Sequence, residues 1–216
     1  MKAIHRLIVT SEAYKRASEA APAVARDNDA ADPTNASLWR FPLRRLEAEP
    51  IWDAIWAAAG ALDTAVGGPS FDPSGGRGGM QGRSPDASKS NRRAAYMIRG
   101  YSTSRDVVPV FLQAFDVDDG RVPCPVRTRT VTPPQALFLM NGDAIEKATE
   151  KFAERLKKES AGNLGAAVDL AYRVAIARPP TPAERDRSLA FLDRDPARLK
   201  GLAWLLLNLD EFLYVR

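Results

Sequence analysis

Apolar residues recur at helical intervals through most of this chain. Ile4, Leu7, Ile8 and Tyr14 stand near three- and four-residue spacing and predict a first helix over about 2–18. The polar stretch 20–35, which contains Pro22 and Pro33, reads as a loop. Trp39, Leu43 and Leu46 again recur at helical spacing. After Glu49, Pro50 is expected as the first residue of a second helix, because the missing N–H costs nothing at that position. Ile51, Ile55, Ala58, Ala59 and Leu62 would form its core stripe.

From Gly67 to Pro85 no apolar period survives, and Gly67, Gly68, Gly75, Gly76, Gly78, Gly79 and Gly82 make the stretch a long glycine-rich loop. Tyr96, Ile98 and Tyr101 fit a short strand near 93–101, and 107–115 fits either a strand or a helix. Helical periodicity returns at Pro134, with Ala136 to Met140 and then Ile145, Ala148, Phe152 and Leu156 after Asn141 and Gly142, as two helices or one kinked one. Leu164, Val168, Ala171, Tyr172 and Ala175 mark a helix that stops before Pro179. Thr181, Pro182 and Glu184 form a capping box for the next, and Asp195–Pro196 repeats the cap-then-proline pattern for a final helix carrying Leu199, Leu202, Leu206, Leu209 and Leu213. The expected fold is mainly α, a helical bundle with little β structure. Its parts would be a helical segment 1–66, the glycine-rich loop 67–91 and a C-terminal bundle 92–216, together forming one compact domain.

Composition narrows the chemistry. Hydrophobic residues make up 45% and charged residues 27% of 216, enough to bury a core. A net charge of +4 is too mild to predict nucleic-acid binding without a clustered face. One cysteine and one histidine exclude an internal disulfide framework, a multi-cysteine zinc site and a c-type haem attachment within this chain. No run reaches the roughly 18 apolar residues needed to cross a bilayer, and Leu202 to Leu209 reads as a buried helix. The start shows no export signal, since only Leu7, Ile8 and Val9 follow the basic residues. It opens directly on an amphipathic pattern and so reads as a fragment of something longer.

The glycine loop fails the dinucleotide fingerprint, because Gln81 stands where the third glycine belongs. The acidic runs Asp27, Asn28, Asp29, Asp32, Asn35 and Asp116, Asp118, Asp119 complete no calcium loop and fit turns better. Cys124, beside Arg121, Arg127 and Arg129, has only His5 as a conceivable base and reads as structural. Trp39, Trp52 and Trp56 with Asp53 are the candidate ligand cleft, as tryptophan platforms stack on sugar rings. The i,i+4 spacing of Trp52 and Trp56 nevertheless favours core packing. Arginines at 173, 178, 185 and 187 flank a helix–turn–helix-like pair, but Glu184 and Asp186 alternate with them and disfavour nucleic-acid binding.

A set of separated stretches carries a resemblance. They are His5-Arg6-Leu7-Ile8 with Ser11 and Tyr14; Leu38-Trp39-Arg40 with Arg44-Arg45-Leu46-Glu47-Ala48-Glu49; Arg92-Arg93 and Tyr96; Phe115-Asp116, Cys124 and Arg127; Thr132-Pro133, Gln135-Ala136-Leu137 and Asn141; Tyr172-Arg173 with Arg178-Pro179-Pro180-Thr181; and Asn208 with Glu211 to Val215. In order and spacing the chain resembles the planctomycete secreted domain of unknown function 1553. The resemblance implies a module of an exported, periplasmic or extracellular protein associated with the cell envelope. It also implies haem c only in a separate upstream domain, and as partners other domains of the parent chain or an envelope protein. It assigns no reaction and no catalytic, cofactor or metal residue. The expected role is non-catalytic and accessory, with a polysaccharide-binding or hydrolytic module and a nucleic-acid-binding helical domain as alternatives. Arg44, Arg45, Glu47, Arg92, Arg93, Asp116 and Arg127 are the candidate structural polar network, expected to tie the N-terminal part to the bundle.

Overall fold

The computed structural model of the chain describes residues 1–71, 91–102, 105–117, 126–127 and 130–215. The fold is mainly α and comprises two compact units, Met1–Arg45 with Tyr214–Arg216, and Leu46–Leu213. The division between the units falls after Arg45. The reason is packing: the helix after Glu47 buries its stripe against helices of the C-terminal half, so it cannot belong with the residues before it. Most of the expected loop 67–91, including Gly75, Gly76, Gly78, Gly79 and Gly82, lies outside the described residues, as do Asp118, Asp119, Arg121, Cys124 and Arg129.

The first unit contains helix α1 (Lys2–Val9), helix α2 (Pro22–Ala31) and the strand β1 (Arg44–Arg45), which pairs antiparallel with β4 (Tyr214–Val215). α1 ends well short of the expected Ser18. Thr10 and Ser11 turn their hydroxyls back onto the carbonyls of Arg6 and Ile8, which satisfies the helix end locally. α2 replaces the expected loop: Pro22 is its first residue, the one helical position where proline is favoured, so it starts the helix. No helix spans Trp39 to Leu46. Just before this stretch, Asp32 organises a turn, its carboxylate accepting from the backbone N–H groups of Ala36 and Ser37 at 2.9 and 2.8 Å. Those two backbone bonds hold the Asp32 carboxyl below its ordinary value.

The second unit is built on α3 (Ala48–Ala58), α4 (Val110–Ala114), α5 (Pro133–Asn141), α6 (Asp143–Glu159), α7 (Leu164–Ile176), α8 (Pro182–Leu192), α9 (Leu199–Leu207) and α10 (Asp210–Leu213). The antiparallel pair β2 (Gly100–Ser102) and β3 (Arg105–Val107) supplies its sheet. The strands expected near 93–101 and 107–115 thus fall at only part of those ranges. Ala94–Tyr96 is a 3-10 turn, and Pro109 is the N-cap residue of α4. α3 begins two residues before Pro50, still within the first turn where proline is tolerated.

α6 has the clearest amphipathic pattern in this unit. Ile145, Ala148, Thr149, Phe152 and Leu156 are buried along one face, with Asp143 and Glu146 in its first turn and Lys157 and Lys158 in its last, matching the helix dipole. α6 packs chiefly on α9, and α7 on α8. Ile51, Ile55, Leu192, Leu199, Leu206 and Leu207 complete the core. The final helix breaks at Asn208, whose side chain donates to the Trp204 carbonyl. No helix among the described residues is long and apolar enough to cross a membrane.

Candidate functional site: a charged framework around α3 and an exposed apolar helix

α3 places acidic side chains at its start and on one flank. Glu47 is its N-cap residue and Glu49 lies in its first turn, where carboxylates are favoured. The Arg127 guanidinium grips Glu49 with both ends, at 2.7 and 3.0 Å, and reaches Glu47 at 3.2 Å. Arg99 lies 3.6 Å from the same Glu49 carboxylate. Burial pushes the Glu49 carboxyl up, but the Arg127 hydrogen bonds and the two nearby positive charges outweigh it and hold the group below its ordinary value.

One turn on, Asp53 accepts from Arg93 Nε at 3.1 Å and from the Ala94 backbone N–H at 2.7 Å. It therefore caps the 3-10 turn at Ala94–Tyr96 from a neighbouring element. Arg92 points the other way and is almost fully buried. Its guanidinium donates to the carbonyls of Pro69, at 2.7 Å, and Gly67, and lies 4.3 Å from the Tyr96 ring centroid. Asp63 is 3.9 Å away. Gly67 takes φ +82, a conformation that glycine enters without strain, and its N–H donates to the Tyr96 hydroxyl. The Arg92 carbonyl in turn accepts from Trp52 Nε1 at 3.1 Å.

Asp116, at φ +61, anchors a third cluster. It accepts from the Thr130 N–H and hydroxyl, at 2.7–2.8 Å, and from Gln135 Nε2 at 3.2 Å. This binds the end of α4 to the start of α5. Glu47, Arg92, Arg93, Asp116 and Arg127 thus sit in three neighbouring polar clusters of the second unit. Arg44 and Arg45 belong to the first unit and lie on β1.

The candidate cleft residues separate in the same way. Trp52 is fully buried and Trp56 nearly so, with ring centroids 5.9 Å apart, and Trp52 also packs on Phe111 at 5.1 Å. Neither ring offers a face to a ligand. Phe111 continues the cluster to Phe115 and Phe138. Trp39 is in the first unit, with the Arg40 guanidinium 5.0 Å from its ring centroid. Asp53 is committed to Arg93 and Ala94. Among the described residues no group of three or more His, Cys, Asp or Glu side chains is placed to hold a metal ion.

The other conspicuous feature is α1. Ile4, Leu7 and Ile8 form an i, i+3, i+4 stripe, yet no residue of the helix is buried and Leu7 is 72% exposed. Lys2, His5 and Arg6 occupy the opposite side, and the helix carries no acidic residue.

The family model of PSD1, proteins of unknown function (DUF1553), matches residues 1–192. The chain belongs to this family. No curated protein and no solved structure matches it. The PSD1 match spans α1, the framework residues and Arg178, and it stops short of Glu211.

Arg178, which the sequence places only in a basic run, is the centre of an ion-pair cluster. It makes two hydrogen bonds to Glu184 and two to Glu211, all at 2.7–2.8 Å, and stands 5.8 Å from the Tyr172 ring. Glu184 also closes the α8 capping box through the Thr181 N–H. The only local cue was that box, and nothing near position 178 announces Glu211. Arg185, in the same run, pairs with Asp169 at 3.0 Å. Salt-bridged in this way, Arg178 and Arg185 contribute less to a basic face than their number suggests.

The Arg178 hydrogen bonds, opposed by partial burial and helped by Thr181, pull the Glu184 carboxyl down to about 2 from 4.5. A carboxyl lowered in the folded state contributes stability that is complete above its unfolded value and lost as pH falls through the folded one. Unfolding free energy should therefore drop by about 1–2 kcal/mol from this group between about pH 5 and 2, after discounting for its partial exposure. Urea titrations at several pH values on the parent chain and on Glu184→Gln check this. The variant should lose that part of the acid dependence, while Glu49 keeps its own share in both.

Proposed function

We propose that this chain is a non-catalytic interaction module of an exported, envelope-associated protein, which docks on another protein domain through α1. Any haem c would belong to a separate domain. The observation that supports this reading is the exposed Ile4, Leu7 and Ile8 stripe. A helix this amphipathic gains little by forming in water, because most helical stability comes from covering the apolar face. The partner would present an apolar patch shaped to the Ile4, Leu7 and Ile8 stripe, which leaves Lys2, His5 and Arg6 on the far side of the helix in water. The framework around α3 fits the same role. Its charges cross-link loops to helices and so hold the second unit rigid.

Site-specific photo-crosslinking in the source cells tests it. A photoreactive residue at Ile8 should give one discrete cross-linked protein, and the same residue at the exposed Lys151 should not. Adding Ile4→Asp should abolish the product while thermal stability stays within about 0.5 kcal/mol, as expected for an exposed position. Equal products from both positions, or a product indifferent to Ile4→Asp, would rule the docking role out.

A further inference from the structure

A half-open cleft of about 510 Å³ lies where the end of α5, the first half of α6 and α9 meet. It is lined by Met140, Asn141, Glu146, Thr149, Lys200 and Trp204, together with Gly201. Its volume lies within the range of small-molecule sites. None of these residues takes part in the framework around α3 or in α1.

The chemistry of the lining selects a ligand class. Trp204 donates its indole N–H to the Met140 carbonyl at 3.1 Å, which fixes the ring against the end of α5. What the indole has left to offer is its apolar surface. Thr149 donates its hydroxyl to the Ile145 carbonyl of its own helix, so it too presents mainly its methyl side. The Lys200 ammonium bridges Glu146 at 3.2 Å and Glu150 at 2.8 Å. Paired with two carboxylates, Lys200 offers no unneutralised cation to hold an anion in the cleft. The ammonium itself stands where a second cation would have to sit.

A neutral ligand is therefore favoured on electrostatic grounds. The Asn141 amide makes no hydrogen bond among the described residues, and both Glu146 and Lys200 keep bonding capacity beyond their mutual contact. The cleft thus combines one rigid aromatic surface with an amide, a carboxylate and an ammonium at its rim. We propose that the cleft between α5, α6 and α9 binds a neutral sugar ring, stacked on Trp204 and hydrogen-bonded through Asn141, Glu146 and Lys200. A pyranose has both an apolar C–H face for the indole and hydroxyls that act as donor and acceptor at once.

The test uses the ¹⁵N-labelled chain, whose four tryptophans give separable indole N–H signals. The Trp204 signal is assigned by its absence in Trp204→Phe. The probes are cellobiose, maltose and N,N′-diacetylchitobiose, with glucose phosphate and adenosine as charged and heteroaromatic controls. At least one disaccharide should shift the Trp204 signal and leave those of the buried Trp52 and Trp56 in place. Asn141→Ala and Glu146→Gln, both at exposed positions and so safe for folding, should each weaken that response by about tenfold, the equivalent of one lost hydrogen bond. Silence of the Trp204 signal to all three sugars overturns the proposal. So does a response unchanged in both variants, or one obtained equally with glucose phosphate or adenosine.

Discussion

Replacing Trp52 by Ala should lower the unfolding free energy by about 3–5 kcal/mol, the range for deleting a large aromatic side chain from a packed core. Trp52 is completely shielded from solvent and touches both Trp56 and Phe111, through which it joins Phe115 and Phe138. Removing it opens a cavity at the point where α3 meets α4, and rings locked on several sides have little room to collapse into it. Trp52→Phe separates the two contributions. It keeps most of the ring contact but deletes the Nε1–H that serves the Arg92 carbonyl, a loss of about 1–3 kcal/mol for a buried acceptor left unpaired. Urea unfolding with an unchanged slope is the measurement. A loss below about 1 kcal/mol for Trp52→Ala would mean that the indole does not hold the core of the second unit.

The same residue shows why parts of this molecule are readable in the chain and others are not. The pairing of Trp52 with Trp56 follows from i,i+4 spacing on one helix, a local property. The α8 capping box at Thr181 and Glu184 is local too, as is the stop of α7 before Pro179, and both stand where the pattern puts them. The sequence misleads where one local cue has two meanings. Pro22 either breaks or begins a helix, and the polar residues after it left no stripe to decide. Thr10 and Ser11 continue the α1 pattern in composition yet terminate it by hydrogen bonding.

Long-range partners gave no cue at all. Arg92 is a candidate on sequence, but its partners are backbone carbonyls of Gly67 and Pro69, which no side-chain pattern encodes. Arg178 meets Glu211 across 33 residues. Trp204 hides in a leucine-rich run and lies off the stripe of Leu199, Leu202 and Leu206, so it reads as one more apolar residue until α5 and α6 are placed beside it.

Arg92→Met should cost about 2–4 kcal/mol, even though it replaces a charged side chain by an apolar one of similar length. The usual expectation for a buried ion pair is that an apolar substitute is tolerated, because the desolvation of two charges is relieved. Arg92 is a different case, since its close partners are carbonyls and the Asp63 carboxylate stands 3.9 Å off and a third exposed. Taking the guanidinium away leaves two carbonyl acceptors without their donor and strips the Tyr96 ring of its cation. Arg92→Lys should recover only part of the loss: an ammonium keeps the charge, but it lacks the planar fork that reaches both carbonyls at once.

Hydrogen exchange tells a local effect from a global one. The backbone N–H of Gly67 donates to Tyr96 Oη and that of Phe71 to the Tyr96 carbonyl, so both depend on the segment that Arg92 clamps. In Arg92→Met these two amides should exchange faster by a larger factor than amides in α6 and α7. Uniform acceleration through the whole unit would place Arg92 in the global core, and unchanged exchange at Gly67 and Phe71 would show that the clamp does not hold the loop.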